Sequence, residues 1–409
     1  MSQATHETLG ERPVILTING GSSSIKFAVF DSADASHRVF SGQVERIGTP
    51  GAQLVATRNA PEQEDVRSMD AASFTHAADH IVNYLRERLG AATLTGIGHR
   101  VVHGGVHLLA HQLVTQGVID ELRRTQPLDL AHLPREIALI ESFRSAYPSV
   151  PQVACFDTAF HRDLPRVAQL LPIPHHYYDE GIRRFGFHGL SYTYLLQKLA
   201  VIGGPNVANG RIILAHLGSG ASMAAVKGGK PIDTTMAFTP TAGLVMGTRP
   251  GDLDPGLLVY LMRVEKMTPD QMDVFISHHC GLIGVSGTSS DMRDLILRRA
   301  SDTRAADAVE LFCYQARKSI GALTATLGGL DTLVFAGGIG ELSSEVRALI
   351  CDGLAFLGLE LEPTANREGR ELISTWSSRV AVRIIPTDEE SVISQAVRAV
   401  TMSTHGTIS

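Results

Sequence analysis

The sequence predicts a duplicated α/β fold, on three observations. Two strand–turn–strand units with polar, glycine-rich tips stand half a chain apart. The length, 409 residues, exceeds what one hydrophobic core usually holds. The 39 glycines fall largely in short clusters that follow apolar runs. Apolar residues at 44% and charged residues at 19% fit a globular chain and exclude a largely disordered one. A net charge of −6 without a dense Lys/Arg block argues against nucleic acid and anionic membrane as partners. No apolar run reaches bilayer length, and MSQATHETLGER lacks the basic-then-apolar pattern of a secretory signal, so cytoplasm is the expected location. Cys155, Cys280, Cys313 and Cys351 lack the spacing of a disulfide framework or a zinc ribbon.

The first dozen residues are polar and expected to fray. Val14–Ile18 is short and mostly β-branched, hence a buried strand. It breaks at Asn19-Gly20-Gly21-Ser22-Ser23-Ser24 and resumes over Ile25–Phe30 as the second arm of a hairpin. Apolar residues at three- and four-residue spacing predict helices over Ala71–Leu89 and Glu136–Ala146. Val153–Phe156 is a short strand ending at Asp157. Arg211–Ala215 repeats the opening grammar, running into His216-Leu217-Gly218-Ser219-Gly220 and then Ala221–Val226. At an offset of 197, Gly21 meets Gly218, Ser22 meets Ser219, Ala28 meets Ala225 and Val29 meets Val226. Leu333–Ala336 is a strand ending in Gly337–Glu341, and Val382–Ile385 is one ending in Pro386-Thr387-Asp388-Glu389-Glu390. A helix is expected over Val392–Met402.

Several motifs fail on inspection. His99, His103, His107 and His111 recur every four residues, but the intervening glycines and valines favour strand and turn over one metal-binding helix face. His161-Arg162-Asp163-Leu164 resembles the start of a protein-kinase catalytic loop, yet Ala168 stands at the metal-binding Asn position. The chain contains no GxxxxGK[ST], no GxSxG, and no GxGxxG in a dinucleotide-binding context.

Phosphate needs many directed donors and little bulk, which glycine and serine turns supply. Singly, Asn19–Ser24, His216–Gly220 or Gly337–Glu341 reads as an ordinary turn; three such loops, each after a strand, point to a polyphosphate nucleotide. Lys26 lies two residues past the first loop on the side of Ser24, facing a phosphate or, on the plainer reading, solvent from an edge strand. Arg100 and Arg249 sit in glycine-rich surroundings suited to gripping a carboxylate or phosphate, or alternatively to satisfying loop carbonyls. His188, between Phe187 and Gly189, reads by itself as a structural histidine. The acidic run 388–390 suits Mg²⁺, which takes one or two carboxylates plus phosphate oxygens and water.

Taken together, INGGSSSIKF (18–27), GHRVVHGG (98–105), FDTAFH (156–161), RRFGFHGLSY (183–192), AHLGSGAS (215–222), DTTMAFTPTAGLVMGTRPGDLDPG (233–256), SSDMRD (289–294), GGIGE (337–341) and PTDEE (386–390) closely resemble the acetate kinase family, part of the actin/sugar-kinase/heat-shock ATPase superfamily. The resemblance runs from about residue 14 to near residue 400. It implies two ribonuclease H-like domains of the actin-like ATPase fold facing a central active-site cleft. Their expected extents are residues 12–158 plus 388–409, and residues 159–387. It also implies a homodimer, and reversible in-line phosphoryl transfer between ATP and acetate with Mg²⁺, for which Mn²⁺ can substitute.

By the same resemblance, Asp157, His188 and Arg249 are catalytic, and Arg100 binds the substrate. Val102, Leu133, Phe187 and Pro240 match the apolar wall around the acyl methyl group. Ser24 and Lys26 match the phosphate-side hairpin. His216, Leu217, Gly218, Ser219 and Gly220, then Asp291, Met292 and Arg293, then Gly338, Ile339, Gly340, Glu341 and Leu342 match ATP-binding loops. Asn19 and Glu389 match the metal positions. This chain departs from the family pattern at Gly20, Ser219, Met292 and Asp388, and most extensively over residues 129–136, DLAHLPRE where the family typically reads DLAPLHNP. That segment belongs to the expected acyl pocket, so it bears on acetate against propionate. A kinase for propionate or butyrate is the nearest alternative, because one methylene changes pocket free energy by only about 1–3 kcal/mol. A nucleotide-driven switch that binds a partner is the alternative from another class.

Overall fold

The computed structural model describes residues 11–21, 23–59 and 62–405. The expected frayed segment up to Gly10, and Ser22 in the first turn, lie outside the described residues. The chain divides into two compact units, residues 1–159 with 388–409, and residues 160–387.

In the first unit, β1 (Pro13–Gly20), β2 (Ile25–Asp31), β3 (Arg38–Glu45), β4 (Gln53–Asn59) and β5 (Glu62–Ser68) form an antiparallel meander. On the other side of β1, β6 (Thr93–Val101) pairs with it in parallel, β8 (Gln152–Phe156) pairs in parallel with β6, and the short β7 (Gln112–Leu113) closes that edge. The helices α1 (Phe74–Leu89), α2 (Gln116–Thr125) and α3 (Leu133–Ala146) bury one face each, with Ile81, Leu85 and Phe143 in a core that includes Val14, Leu16 and Phe27 of β1 and β2.

The other face of β6 accepts the returning helix Glu389–His405. Two glycines permit that approach. A Cβ at Gly96 would lie 2.5 Å from Val397 Cγ1, and one at Gly98 would overlap Ile393 and lie 2.7 Å from Val397 Cγ2. Bare backbone lets the helix rest directly on the strand.

In the second unit, β9 (Arg211–Leu217), β10 (Ala221–Lys227) and β11 (Lys230–Thr234) form the antiparallel meander, while β12 (Thr332–Ala336) and β13 (Ala381–Ile384) add in parallel beyond β9. The order β11-β10-β9-β12-β13 repeats β3-β2-β1-β6-β8 of the first unit, strand for strand and sense for sense. This repetition is a duplicated α/β unit, and the offset of 197 between the two hairpins marks it in the sequence. Its core joins Ile212, Leu214, Val226 and Val334 to Tyr192, Leu195 and Leu199 of the helix Gly189–Ala208.

Candidate active site

Parallel pairing aligns strand ends, and that alignment builds the first unit's polar centre. The register Ile18↔His99 places Asn19 beside Arg100, and Val101↔Phe156 places Asp157 just beyond the end of β8. Arg100 Nε and Nη2 donate to Asp157 Oδ2 at 3.1 and 2.6 Å, and Nη1 donates to Asn19 Oδ1 and the Gly20 carbonyl, both at 3.4 Å. The helix Glu389–His405 begins here, and Asn19 Nδ2 donates to Glu389 Oε2 at 3.0 Å and Glu390 Oε1 at 3.3 Å. Arg100 Nε also lies 3.9 Å from Glu389 Oε2.

Burial works against the Arg100 charge, but Asp157 and Glu389 outweigh it and hold the guanidinium firmly protonated. Burial also pushes the Asp157 carboxyl up from its ordinary range, with Arg100 opposing and Glu389 adding to the rise. Glu390 is raised in the same way, by burial and then by Glu389, with Lys26 opposing. Asp157 is fully buried, and its Oδ1 has no hydrogen-bond partner. A buried carboxylate oxygen without a donor, beside two glutamates and an amide, suits a hard divalent cation that fills its remaining positions with water and phosphate oxygens. Among the described residues, no three His, Cys, Asp or Glu side chains form a self-sufficient metal site. Asn19, Glu389 and Asp157 are the oxygen-donor types that Mg²⁺ takes when water and phosphate oxygens fill its other positions.

The second unit's polar centre is built from histidines, an arginine and glycine. His188 caps the helix Gly189–Ala208 in the left-handed region, φ 58°, which disfavours residues other than glycine. Its ring stacks on His216 with centroids 4.3 Å apart, and its Nδ1 lies 2.8 Å from Ser222 Oγ, which in turn bonds to the Tyr192 hydroxyl. His216 Nδ1 is 2.8 Å from Ser191 Oγ, and Thr387 Oγ1 donates to the same hydroxyl at 2.8 Å. A Cβ at Gly220 would stand 2.7 Å from Arg249 Nη2 and 3.4 Å from His188 Nε2, so glycine allows both side chains to approach the turn. Arg249 Nη1 donates to the Pro240 carbonyl at 2.6 Å, and Gly247 N–H donates to the Ser219 carbonyl at 3.0 Å.

The other expected site residues fall as follows. Lys26 is opposite Asn19 on β2, which is an inner strand and not an edge. Ser24 closes the first turn by accepting Gly21 N–H on its carbonyl at 2.7 Å. His216 and Leu217 belong to β9, so the second loop narrows to Gly218-Ser219-Gly220. Gly338, Ile339, Gly340, Glu341 and Leu342 form the helix Gly337–Leu342, and Glu341 Oε1 accepts the N–H groups of Gly337 and Thr387. Asp291 caps the helix Met292–Arg298 and pairs with Arg293, while Met292 is buried. Val102 and Leu133 are buried in the first unit, and Phe187 is buried and Pro240 half-buried in the second. Glu389 and Glu390 start a helix instead of trailing from a strand. Asp388 is answered locally by Arg38 and by the Ser391 N–H at 3.0 Å, so its charge does not add to Glu389 unopposed.

Four residues lie within segments the sequence singles out, but their individual partners could not be read from it. Glu390 shares Asn19 with Glu389, although adjacent helical residues point apart. Ser222 and Tyr192 fix His188, and Glu136 reaches the Val102 backbone. Each acts through individual hydrogen bonds to distant residues, which leave no periodicity to detect.

A profile of the acetokinase family matches residues 14–395. The chain belongs to the acetokinase family. The acetate kinase of Nitrobacter hamburgensis is 44% identical over 385 residues, 93% of this chain and 94% of that one. Among solved structures, the acetate kinase of Porphyromonas gingivalis superposes with a TM-score of 0.85 at 34% identity, covering 95% of this chain and 99% of that one. The propionate kinase of Francisella tularensis superposes with a TM-score of 0.88 at 32% identity over the same shares. The chain is accordingly a kinase whose nucleotide is ATP or ADP. Among the described residues, no helix is long and apolar enough to cross a membrane.

Proposed function

We propose that this acetokinase-family member catalyses the reversible transfer of the ATP γ-phosphoryl group to acetate, giving acetyl phosphate and ADP. The observation that carries the reading is Arg100, whose guanidinium is fixed by Asp157 and Asn19 at the ends of three parallel-paired strands. Acetic acid ionises at pH about 4 to 5, as side-chain carboxyls do, so the nucleophile needs no base at pH 7. The obstacle is the repulsion between a carboxylate and an anionic phosphoryl group, which fixed positive charge offsets.

On this reading, Arg100 binds the acid, and Asp157 orients Arg100 without removing a proton. Arg249, with His188 held by Ser222, stabilises charge on the transferring group. The loop Gly218–Gly220 and the N-terminus of the helix Gly337–Leu342 present N–H groups to the nucleotide phosphates. Asn19, Glu389 and Asp157 would hold Mg²⁺, which supplies positive charge against the phosphate oxygens. The helix Pro255–Val264 buries none of its residues and exposes Leu257, Val259 and Tyr260, which supports a homodimer through that helix. Cytoplasm remains the expected location.

The likeness to a propionate kinase keeps that acid as the second reading. Trapping acyl phosphate with hydroxylamine, in the presence of ATP and Mg²⁺, tests both. Hydroxamate formed from acetate at a higher kcat/KM than from propionate or butyrate supports the proposal. Preference for a longer acid moves the substrate, and ATP hydrolysis without hydroxamate from any acid overturns the kinase assignment to carboxylates.

A further inference from the structure

The first turn of α3 directs two side chains at the end of β6. Leu133 is fully buried in a cluster with Val101, Ile137 and Phe156. Glu136, three residues on and on the same face, is 4% exposed. Its Oε1 and Oε2 accept the backbone N–H of Val102 at 3.2 and 3.0 Å. Val102 lies just past β6 and two residues beyond Arg100. An apolar side chain at position 136 would leave that buried N–H without a partner, which is costly.

We propose that Glu136 is a positioning residue for carboxylate recognition, tying α3 to the Val102 backbone and so fixing the end of the strand that carries Arg100. The inference rests on the reading of Arg100 and Val102 as acid-binding residues. Burial pushes the Glu136 carboxyl up to about 8, with Arg100 and the Val102 N–H lowering it and Asp129 and Asp157 raising it. The carboxyl's pull toward the protonated form is set against the tie, which needs only an oxygen acceptor.

The charged groups around it are otherwise occupied. His132 is bonded to Asp129 at 2.9 Å, and Asp157 to Arg100. His103 Nδ1 accepts the Gly105 N–H, Arg135 lies over the Phe74 ring, and Arg123 of α2 pairs with Glu141. When Glu136 loses its proton, the new negative charge competes with the substrate carboxylate for Arg100. Affinity for the acid falls on the alkaline side, and affinity for the nucleotide does not.

The test is the kinetics of ADP release by the full chain, with acetate and ATP varied separately, for wild type, E136Q and E136A. The wild-type acetate KM is expected to rise about tenfold between about pH 7 and pH 9 while the ATP KM stays flat. E136A raises the acetate KM about five- to tenfold at pH 7, the loss of one buried hydrogen bond. E136Q, which keeps the acceptor and cannot ionise, restores affinity at pH 7 and abolishes the alkaline rise. An alkaline rise retained in E136Q, or wild-type acetate affinity in E136A, overturns the inference. If E136A does not fold, the E136Q profile decides alone. Failure of wild type to make any acyl phosphate is a different result, because it overturns the kinase reading on which the inference rests.

Discussion

The two units share a strand order but place opposite kinds of chemistry at their strand ends. In the first, Asn19, Arg100 and Asp157 cap β1, β6 and β8, a tight cluster of buried charge braced by Glu389 and Glu390. In the second, His216 occupies on β9 the place that Asn19 has on β1, and glycines follow both β9 and β12. On the proposed reading, the small carboxylate meets the fixed guanidinium of the first unit. On the same reading, the polyphosphate lies against the bare backbone and small turns of the second. Topology decides where the chemistry sits, and the residues at the strand ends decide which ligand it meets.

The largest expected effects break one side of this comparison outright. Arg100→Ala leaves Asp157 buried and unpaired, and should cost about 3–5 kcal/mol of stability, read as a lower denaturant midpoint. It should also raise the acid KM far more than the ATP KM. Arg249→Ala should instead lower kcat by about 10²–10³ with a smaller change in ATP KM, and an unchanged kcat would remove Arg249 from the transition state.

A subtler change tests how the first unit's charges are held. Gly98→Ala forces a methyl group against Ile393 and Val397, displacing the helix that carries Glu389 and Glu390. Overpacking of this kind costs about 1–3 kcal/mol, and the Mg²⁺ concentration giving half-maximal rate should rise with it. Stability that falls without any change in Mg²⁺ dependence would separate the glycine from the site.

Glu136→Gln should act in a defined pH window. The folded-state carboxyl titrates at about 8, above its ordinary 4.5, so the unfolded chain releases this proton first. Wild-type stability therefore loses ground as pH rises from about 4.5 to about 8, relative to the glutamine variant. Denaturant midpoints of the two proteins should coincide at pH 4 and separate in favour of glutamine at pH 8.

Much of this was legible in the sequence because it is local. The hairpin β1–β2 and its counterpart β9–β10 are short β-branched runs around glycine-rich turns, and both formed where expected. The strands β3 to β5 were not read, since a sequence such as EQEDVRS carries the charge of a sheet edge and no apolar alternation. The helix at Glu389 begins three residues before Val392, where the apolar periodicity starts, because its first turn is acidic and faces Asn19. Arg100, Asp157 and His188 stood out through the motifs that contain them. Glu390 and Ser222 stood out only as members of the acidic run and of AHLGSGAS, without individual roles, since their partners are 371 and 34 residues away.

Calorimetric titration of ADP into Arg100→Lys, set beside its acid KM, tests the central claim most directly. Lysine keeps the charge and loses the fork that Asp157 holds. The division of labour predicts nucleotide affinity close to wild type together with an acetate KM raised at least about tenfold. Weakened ADP binding with an undisturbed acetate KM would contradict it.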